Sequence, residues 1–490
     1  MYPPRVIFMP ALVFLAAQSV LWEDATARML PETAEWTNYV ELADINGDGL
    51  VDLLFANGGN YSEPGEPEPN RVFLNRGDSF EELTLAGGPD IARVIRARDV
   101  SGDGLVDILV GTTYETESRL FLGPDFAEAT TTHLPRGPAS IGDLELGDVD
   151  ADGDLDVVLA DWGAGNNMTN AGGRTRLWLN DGSGHFSDAT ADRMPETLIG
   201  FSWDLEVVDV DNDLDLDILV SCKRCGGGSL FVNDGSGRFE ANGRALPAYT
   251  NNYDYEAMDV DGDGFLDLVT VNDGRILDGK RSHRQEHLLI NDGEGSFVDR
   301  TPELWPDAQN LGYDDNMHAF LDFDSDGDAD FLLGSLTGPD RLHINDGSGG
   351  FTVRTDVISG ESTPGTLALA VSDLNGDGKL DLVQAQGEHR TAVQERIYFG
   401  AAIAPDTAPP LVDLVTVDQG VVRARVHDRK SPLMPQDMKE VVVIWPSQSG
   451  EESHEMSWYG GYLFRADIGA SASDIRVCAT DAAGNRACSP

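Results

Sequence analysis

The residues of this chain with the clearest chemistry are aspartates at alternate positions. DVDADGDLD (148–156) puts Asp148, Asp150, Asp152 and Asp156 at positions 1, 3, 5 and 9 of a nine-residue loop, with Gly at position 6. Six more segments follow the same plan. DINGDGLVD supplies Asp44, Asn46, Asp48 and Asp52, and DVSGDGLVD supplies Asp99, Ser101, Asp103 and Asp107. DVDNDLDLD supplies Asp209, Asp211, Asp213 and Asp217, and DVDGDGFLD supplies Asp259, Asp261, Asp263 and Asp267. DFDSDGDAD supplies Asp322, Asp324, Asp326 and Asp330, and DLNGDGKLD supplies Asp373, Asn375, Asp377 and Asp381. Oxygens at alternate positions converge when the chain curls. A hard cation such as Ca²⁺ takes six to eight of them at about 2.3–2.6 Å, whereas Mg²⁺ insists on a stricter octahedron. Gly at position 6 allows the positive φ of a sharp turn. Calcium is therefore the expected cofactor, at up to seven sites. Asn46 and Asn375 keep an oxygen but lose a charge, and Ser101 is a poorer ligand. Leu214 stands where Gly is wanted, so the loop at 209–217 departs furthest from the pattern.

Loops this similar need similar supports. Their starts lie 49 to 63 residues apart, and each is flanked by apolar runs such as VELAD or LEVVD before and VDLLFA or LDVVLA after. A further element follows in each unit: RVFLN, RLFLG, RLWLN, SLFVN, HLLIN, RLHIN and RIYFG. Several units continue through an Asn-Asp-Gly turn, as in NDGSGHFSDAT, a sequence that favours tight hairpins. Each unit thus reads as four short strands, and such units repeated in tandem build a β-propeller. The seventh unit lacks a fourth strand after RIYFG. LWEDATARMLP (21–31) resembles HFSDATADRMP (185–195), so residues 20–24 are expected to supply it.

The bulk numbers exclude several functions. The chain has 490 residues, with 34 Lys plus Arg against 85 Asp plus Glu, a formal charge of −51. Nucleic acid and anionic membranes demand clustered positive charge and are excluded as main partners. Residues 1–19 carry Arg5, an apolar run and small residues, the plan of a signal peptide, so a secreted location is expected, extracellular or at the cell surface, with the periplasm as the alternative. No later stretch is long and apolar enough for a membrane helix. Cys222 with Cys225 and Cys478 with Cys488 read as two local disulfides.

The acidic loops, their flanking strands and the NDGSG turns resemble the FG-GAP/VCBS repeat family, over roughly residues 20–400. The resemblance implies a propeller whose loop oxygens bind calcium on one face. After a Pro-rich linker (401–410), alternating apolar runs at 411–490 read as a small β-sandwich, and the ending resembles immunoglobulin-like modules. The expected fold is all-β: a seven-bladed β-propeller (20–400) followed by that sandwich. No nucleophile–base pair, phosphate-cradling loop or open catalytic metal site is visible in the sequence. The expected function is adhesion or recognition of an extracellular protein or glycan, without catalysis. A polysaccharide-active enzyme such as a lyase, or a structural spacer at the cell surface, are the alternatives. Aromatics ahead of the first strands (Trp36, Tyr39, Phe201, Trp203, Tyr253, Tyr255, Tyr313) either pack between units or stack on sugars. A basic cluster (Arg275, Lys280, Arg281, His283, Arg284, His287) either lies in solvent or meets an anionic glycan.

Overall fold

The computed structural model describes residues 20–489 apart from 61–62, 167–168, 224, 250–251, 273–275, 278–279, 282–285, 360–364, 388–392, 448–449 and 470–473. The expected signal segment, 1–19, lies outside the described residues.

The protein is all-β. Each acidic repeat builds a four-stranded antiparallel sheet, and in the first six the strands follow chain order. In the first, Thr37–Ala43, Asp52–Asn57, Arg71–Asn75 and Phe80–Leu83 pair in turn. The second strands are buried along their whole length, as in Asp52–Asn57 and Asp156–Asp161. Both faces of each sheet are therefore covered, which is why these strands are nearly continuous apolar runs rather than alternating ones. The acidic loop joins the first strand to the second. The Asn-Asp-Gly turn joins the third to the fourth, so both lie at the same end of the sheet.

The chain closes on itself. Thr366–Ser372, Asp381–Gln386 and Arg396–Gly400 take their fourth strand from Trp22–Asp24, with Trp22 opposite Gly400 and Asp24 opposite Tyr398. Trp22 is fully buried there, and its indole N–H donates to the Leu380 carbonyl at 2.9 Å. The likeness between residues 21–31 and 185–195 is structural as well. One-turn helices, Thr26–Met29 and Thr190–Arg193, follow the two equivalent strands. The first strands lie side by side in sequence order, and Thr366–Ser372 returns to lie beside Thr37–Ala43.

Residues 411–488 form two more four-stranded antiparallel sheets. Val422, Ala424 and Phe464 of one share a buried cluster with Val441, Val443 and Val477 of the other. Cys478 pairs with Cys488 across adjacent strands, and Cys222 is bonded to Cys225. These sheets rest on the acidic-loop end of the repeats. The Tyr459 carbonyl accepts the Asp148 N–H at 2.8 Å, and the Tyr459 hydroxyl donates to the Leu214 carbonyl at 2.9 Å.

Candidate metal centres

The acidic loops share one backbone course. In the fifth, Asp259 Oδ1 accepts the N–H groups of Gly262 and Asp263 at 2.8 and 3.2 Å, and its Oδ2 accepts that of Gly264 at 3.0 Å. Asp263 Oδ1 accepts the Phe265 N–H at 2.9 Å. Asp267, at position 9, takes the Val260 N–H at 3.1 Å and the Asn291 N–H at 2.9 Å, fixing the loop to the third strand. Position 6 has positive φ in all seven loops, and so does position 4. Gly fills most of these places, but Leu214 adopts φ 68° at position 6 of the fourth loop, and Ala151, Asn212 and Ser325 do the same at position 4. Leu214 still donates its N–H to Asp209 Oδ2, at 3.1 Å, as Gly does elsewhere. The fourth loop therefore keeps the common geometry.

The loops divide by what occupies position 3. Carboxylate oxygens gather within 4.8 Å in the third (Asp148, Asp150, Asp156), fourth (Asp209, Asp211, Asp217), fifth (Asp259, Asp261, Asp263) and sixth (Asp322, Asp324, Asp330). Asp150, Asp211 and Asp261 each hold a buried Oδ1 without a hydrogen-bond partner. Buried polar atoms are seldom left unpaired, and these three stand at the position the alternating pattern assigns to a ligand. The donor set is oxygen-only and suits a hard cation such as calcium. In the first and seventh loops, Asn46 and Asn375 instead donate side-chain N–H groups to Asp52 and Asp381, at 3.4 and 3.1 Å. Their position-9 carboxylates are thus partly satisfied from within. Asp152, Asp213, Asp267 and Asp326 lie outside the gathered triplets, as do Asp44, Asp48, Asp52, Asp99, Asp103, Asp107, Asp373, Asp377 and Asp381.

Crowding shows in the acidities. Burial, added to by the loop's other carboxylates, raises Asp156 and Asp267 to about 8 and Asp330 to about 9. The backbone N–H groups they accept pull the other way without prevailing. Asp209 rises to about 7 by burial and then by Asp213. A divalent ion among these groups would reverse that balance.

One set of residues in the loop framework escaped the sequence reading. The Asn that ends or directly follows the third strand in five units (Asn75, Asn180, Asn233, Asn291, Asn345) donates its side-chain N–H twice. One bond goes to position 8 of its own loop and the other to position 2 of the preceding unit's loop. For Asn291 these are Leu266 at 2.9 Å and Val210 at 2.8 Å. For Asn75 they are Val51 at 3.0 Å and Leu374 at 2.9 Å, which ties the first unit to the seventh. The signal was the N of RLWLN and its relatives.

At the other end of the sheets, four of the seven aromatics turn fully inward, while Trp36, Tyr39 and Tyr313 are half-buried. Phe201 stacks on Trp162 with centroids 4.6 Å apart, and Lys223 Nζ lies 3.6 Å from the Trp203 ring and 3.3 Å from the Tyr253 ring. Trp162, Phe201, Trp203, Tyr253 and Tyr255 are all buried, so their faces are spent on packing between units. The basic cluster falls largely outside the described residues, at 273–275, 278–279 and 282–285.

An all-β chain of tandem four-stranded sheets, each turning on an acidic loop, defines a propeller-like repeat protein. The FG-GAP-like repeat model matches it five times, at residues 44–110, 99–159, 148–220, 259–333 and 322–383, over more than half of the chain. The chain belongs to the FG-GAP-like repeat family. No curated protein matches its sequence. Among solved structures it is similar to an Agrocybe aegerita lectin that recognises non-reducing terminal N-acetylglucosamine. That chain is 17% identical, over 66% of this chain and 81% of the lectin, with TM-score 0.41. It is also similar to a Bacillus licheniformis rhamnogalacturonan lyase (14% identical, 79% and 76% covered, TM-score 0.43). A third is the V. cholerae biofilm matrix protein Bap1 (14% identical, 96% and 75% covered, TM-score 0.36).

Proposed function

We propose that this chain is a secreted, calcium-stabilised, seven-bladed β-propeller that carries an immunoglobulin-like sandwich (411–490) and recognises an extracellular glycan or protein without turning it over. The ring closure by Trp22–Asp24 and the seven equivalent sheets support the blade count. The orphaned position-3 oxygens support calcium. The observation that carries the recognition reading is the division of the two ends. The C-terminal sheets occupy the acidic-loop end. Arg425 reaches the Gly264 carbonyl and Asn212 Oδ1, and Arg429 reaches the Gly327 carbonyl. The opposite end carries the connections between second and third strands, as at 58–60 and 63–70, and irregular loops on a rigid frame are where binding resides.

Two measurements test this. A calcium site whose dissociation constant lies a hundredfold below ambient calcium adds about 2.7 kcal/mol to stability. Excess chelator should therefore lower the melting temperature by several degrees, with calcium but not magnesium restoring it. A melt indifferent to chelator removes calcium from the account. A glycan array run beside an assay on acidic polysaccharides separates the functions. Specific binding without product supports recognition, and release of product replaces it with catalysis. Silence in both leaves a structural spacer.

A further inference from the structure

Outside the repeats, three carboxylates meet where the linker and the C-terminal sheets rest on the acidic loops. Asp406 belongs to the Pro-rich linker, Asp428 follows the strand Val421–His427, and Asp481 ends the strand Arg476–Asp481. The two strands lie in different C-terminal sheets. One oxygen of each carboxylate lies within 4.8 Å of the other two. The linker residue is also tied to the ring, since its N–H donates to the Gly378 carbonyl of the seventh loop at 3.0 Å.

Like charges this close repel strongly away from water, and the neighbouring cations are engaged elsewhere. Lys430 Nζ lies 2.6 Å from Asp437 Oδ1. Arg429 donates from Nε to the Gly327 carbonyl at 2.5 Å and from Nη1 to the Pro409 carbonyl at 2.9 Å. Its charge draws Asp428 and Asp406 downward, but burial and the partner carboxylates outweigh it, and the two rise to about 8 and about 6. Asp481 supplies an independent sign. It is fully buried, and its Oδ1 accepts the N–H groups of Gly484 and Asn485 at 2.7 and 2.8 Å. Its Oδ2 is buried too and has no hydrogen-bond partner. A fold that satisfies one oxygen of a carboxylate twice and leaves the other bare is shaped for something that the protein itself does not supply. Beside the cluster, a cavity of about 270 Å³ is lined by Asp406, Asp428 and Ala482 together with Gly49, Asp373 and Gly378 of the ring loops. That is space for several waters, which hard cations recruit to complete their shells.

We infer that Asp406, Asp428 and Asp481 bind a divalent cation of the calcium class, which fastens the linker and both C-terminal sheets to the ring. The set has no imidazole or thiolate, so softer metals gain nothing there. The site uses none of the repeat ligands and stands or falls apart from them.

The test counts ions. Full-length protein is stripped with chelator, reloaded with calcium chloride and weighed by native mass spectrometry beside Asp428→Asn, Asp481→Asn and Asp261→Asn. Each junction variant is expected to carry one calcium fewer than the natural chain, and calcium no longer protects the 401–410 linker from protease in them. Asp261→Asn also loses one ion but keeps the linker protected, so failure of the loop reading is distinguishable from failure of this one. Equal ion counts in the natural chain and Asp428→Asn overturn the inference. If Asp481→Asn does not fold, a crystal of the natural chain grown with calcium decides. An anomalous peak among the three carboxylates supports the site, and its absence while the repeat loops are filled overturns it.

Discussion

Single residues in the loops carry separable duties, and Leu214 makes the point most sharply. A left-handed backbone costs a branched residue about 1–2 kcal/mol, yet the fourth loop keeps Leu there. Its side chain is buried at 2% exposure, in a cluster that includes Leu216 and, from the C-terminal sheets, Tyr459 and Leu463. Removing a buried leucine side chain costs roughly 2–5 kcal/mol, more than the strain it relieves. Leu214→Gly should therefore lower stability by about 1–3 kcal/mol although it restores the repeat pattern, which a urea titration would read. A rise in stability would mean that the C-terminal sheets gain little from this side chain. Positions 3 and 9 separate in the same way. Asp267 accepts two backbone N–H groups, and Asn there would turn a donor toward one of them. Asp267→Asn should cost about 1–3 kcal/mol even in chelator, and more once calcium is present. Asp261 leaves an oxygen bare, so Asp261→Asn should be near neutral in chelator and lose stability only when calcium is present. Equal losses under both conditions would show that the two positions share one structural role.

At the scale of strands and sheets, the third-strand Asn does work that packing alone does not. Each one satisfies two buried carbonyls, one in its own unit and one in the unit before. Asn291→Ala should leave the Leu266 and Val210 carbonyls bare and cost about 2–4 kcal/mol, whereas Ala at an exposed residue of the following turn, Glu294, should cost little. Chemical denaturation of Asn291→Ala beside Glu294→Ala measures the difference. The second and seventh units have Gly123 and Gly400 in this place, and the linker compensates for one of them: the Ala404 N–H donates to the Phe323 carbonyl at 3.2 Å. Most of this architecture was legible in the sequence. The acidic spacing located every first-to-second-strand loop, and the likeness of 21–31 to 185–195 located the strand that closes the ring. The Asn was visible as a repeated letter, but the second partner of Asn291 lies 81 residues away, and no local pattern reports a bond of that range. Asp406, Asp428 and Asp481 escaped for the same reason, since only the docking of the C-terminal sheets brings them together. The fourth loop read as the weakest because the cost of Leu214 is local and legible, while the burial that offsets it is not.

Across the whole molecule, acid groups are buried in numbers that ordinary folding would avoid, and this makes stability depend on pH and, with the calcium proposed above, on the ion as well. Between the first strands, Glu145, Glu206 and Glu256 are raised above the usual carboxylate range by burial, with neighbouring carboxylates adding to it. Elsewhere in the ring burial lifts Glu395 to about 8 and Asp340 to about 7. The C-terminal sheets keep this interior closed, with Leu433, Trp458 and Tyr462 lining a cavity of about 50 Å³ beside Arg96, Glu145 and Glu256. A carboxylate whose folded acidity is shifted upward binds its proton more tightly folded than unfolded. Stability is then fullest below about pH 4 and declines as pH rises toward 8. Asp156, Asp267 and Asp330 follow the same rule when no cation is present, because their raised values extend the decline to about 8–9. The proposed calcium would act against it: an ion among the loop carboxylates would favour their charged form and displace protons, so its contribution would grow with pH. In chelator, the melting temperature should fall as pH rises from about 5.5 to about 8.5. The gain on adding saturating calcium should be small at the acid end of that range and largest at the alkaline end, where one pKa unit per group corresponds to about 1.4 kcal/mol. Calorimetry across the range, with and without calcium, reads both slopes. A calcium gain of constant size would mean that the ion and the protons do not compete for the same oxygens, and the loops would then have to be satisfied by some other means.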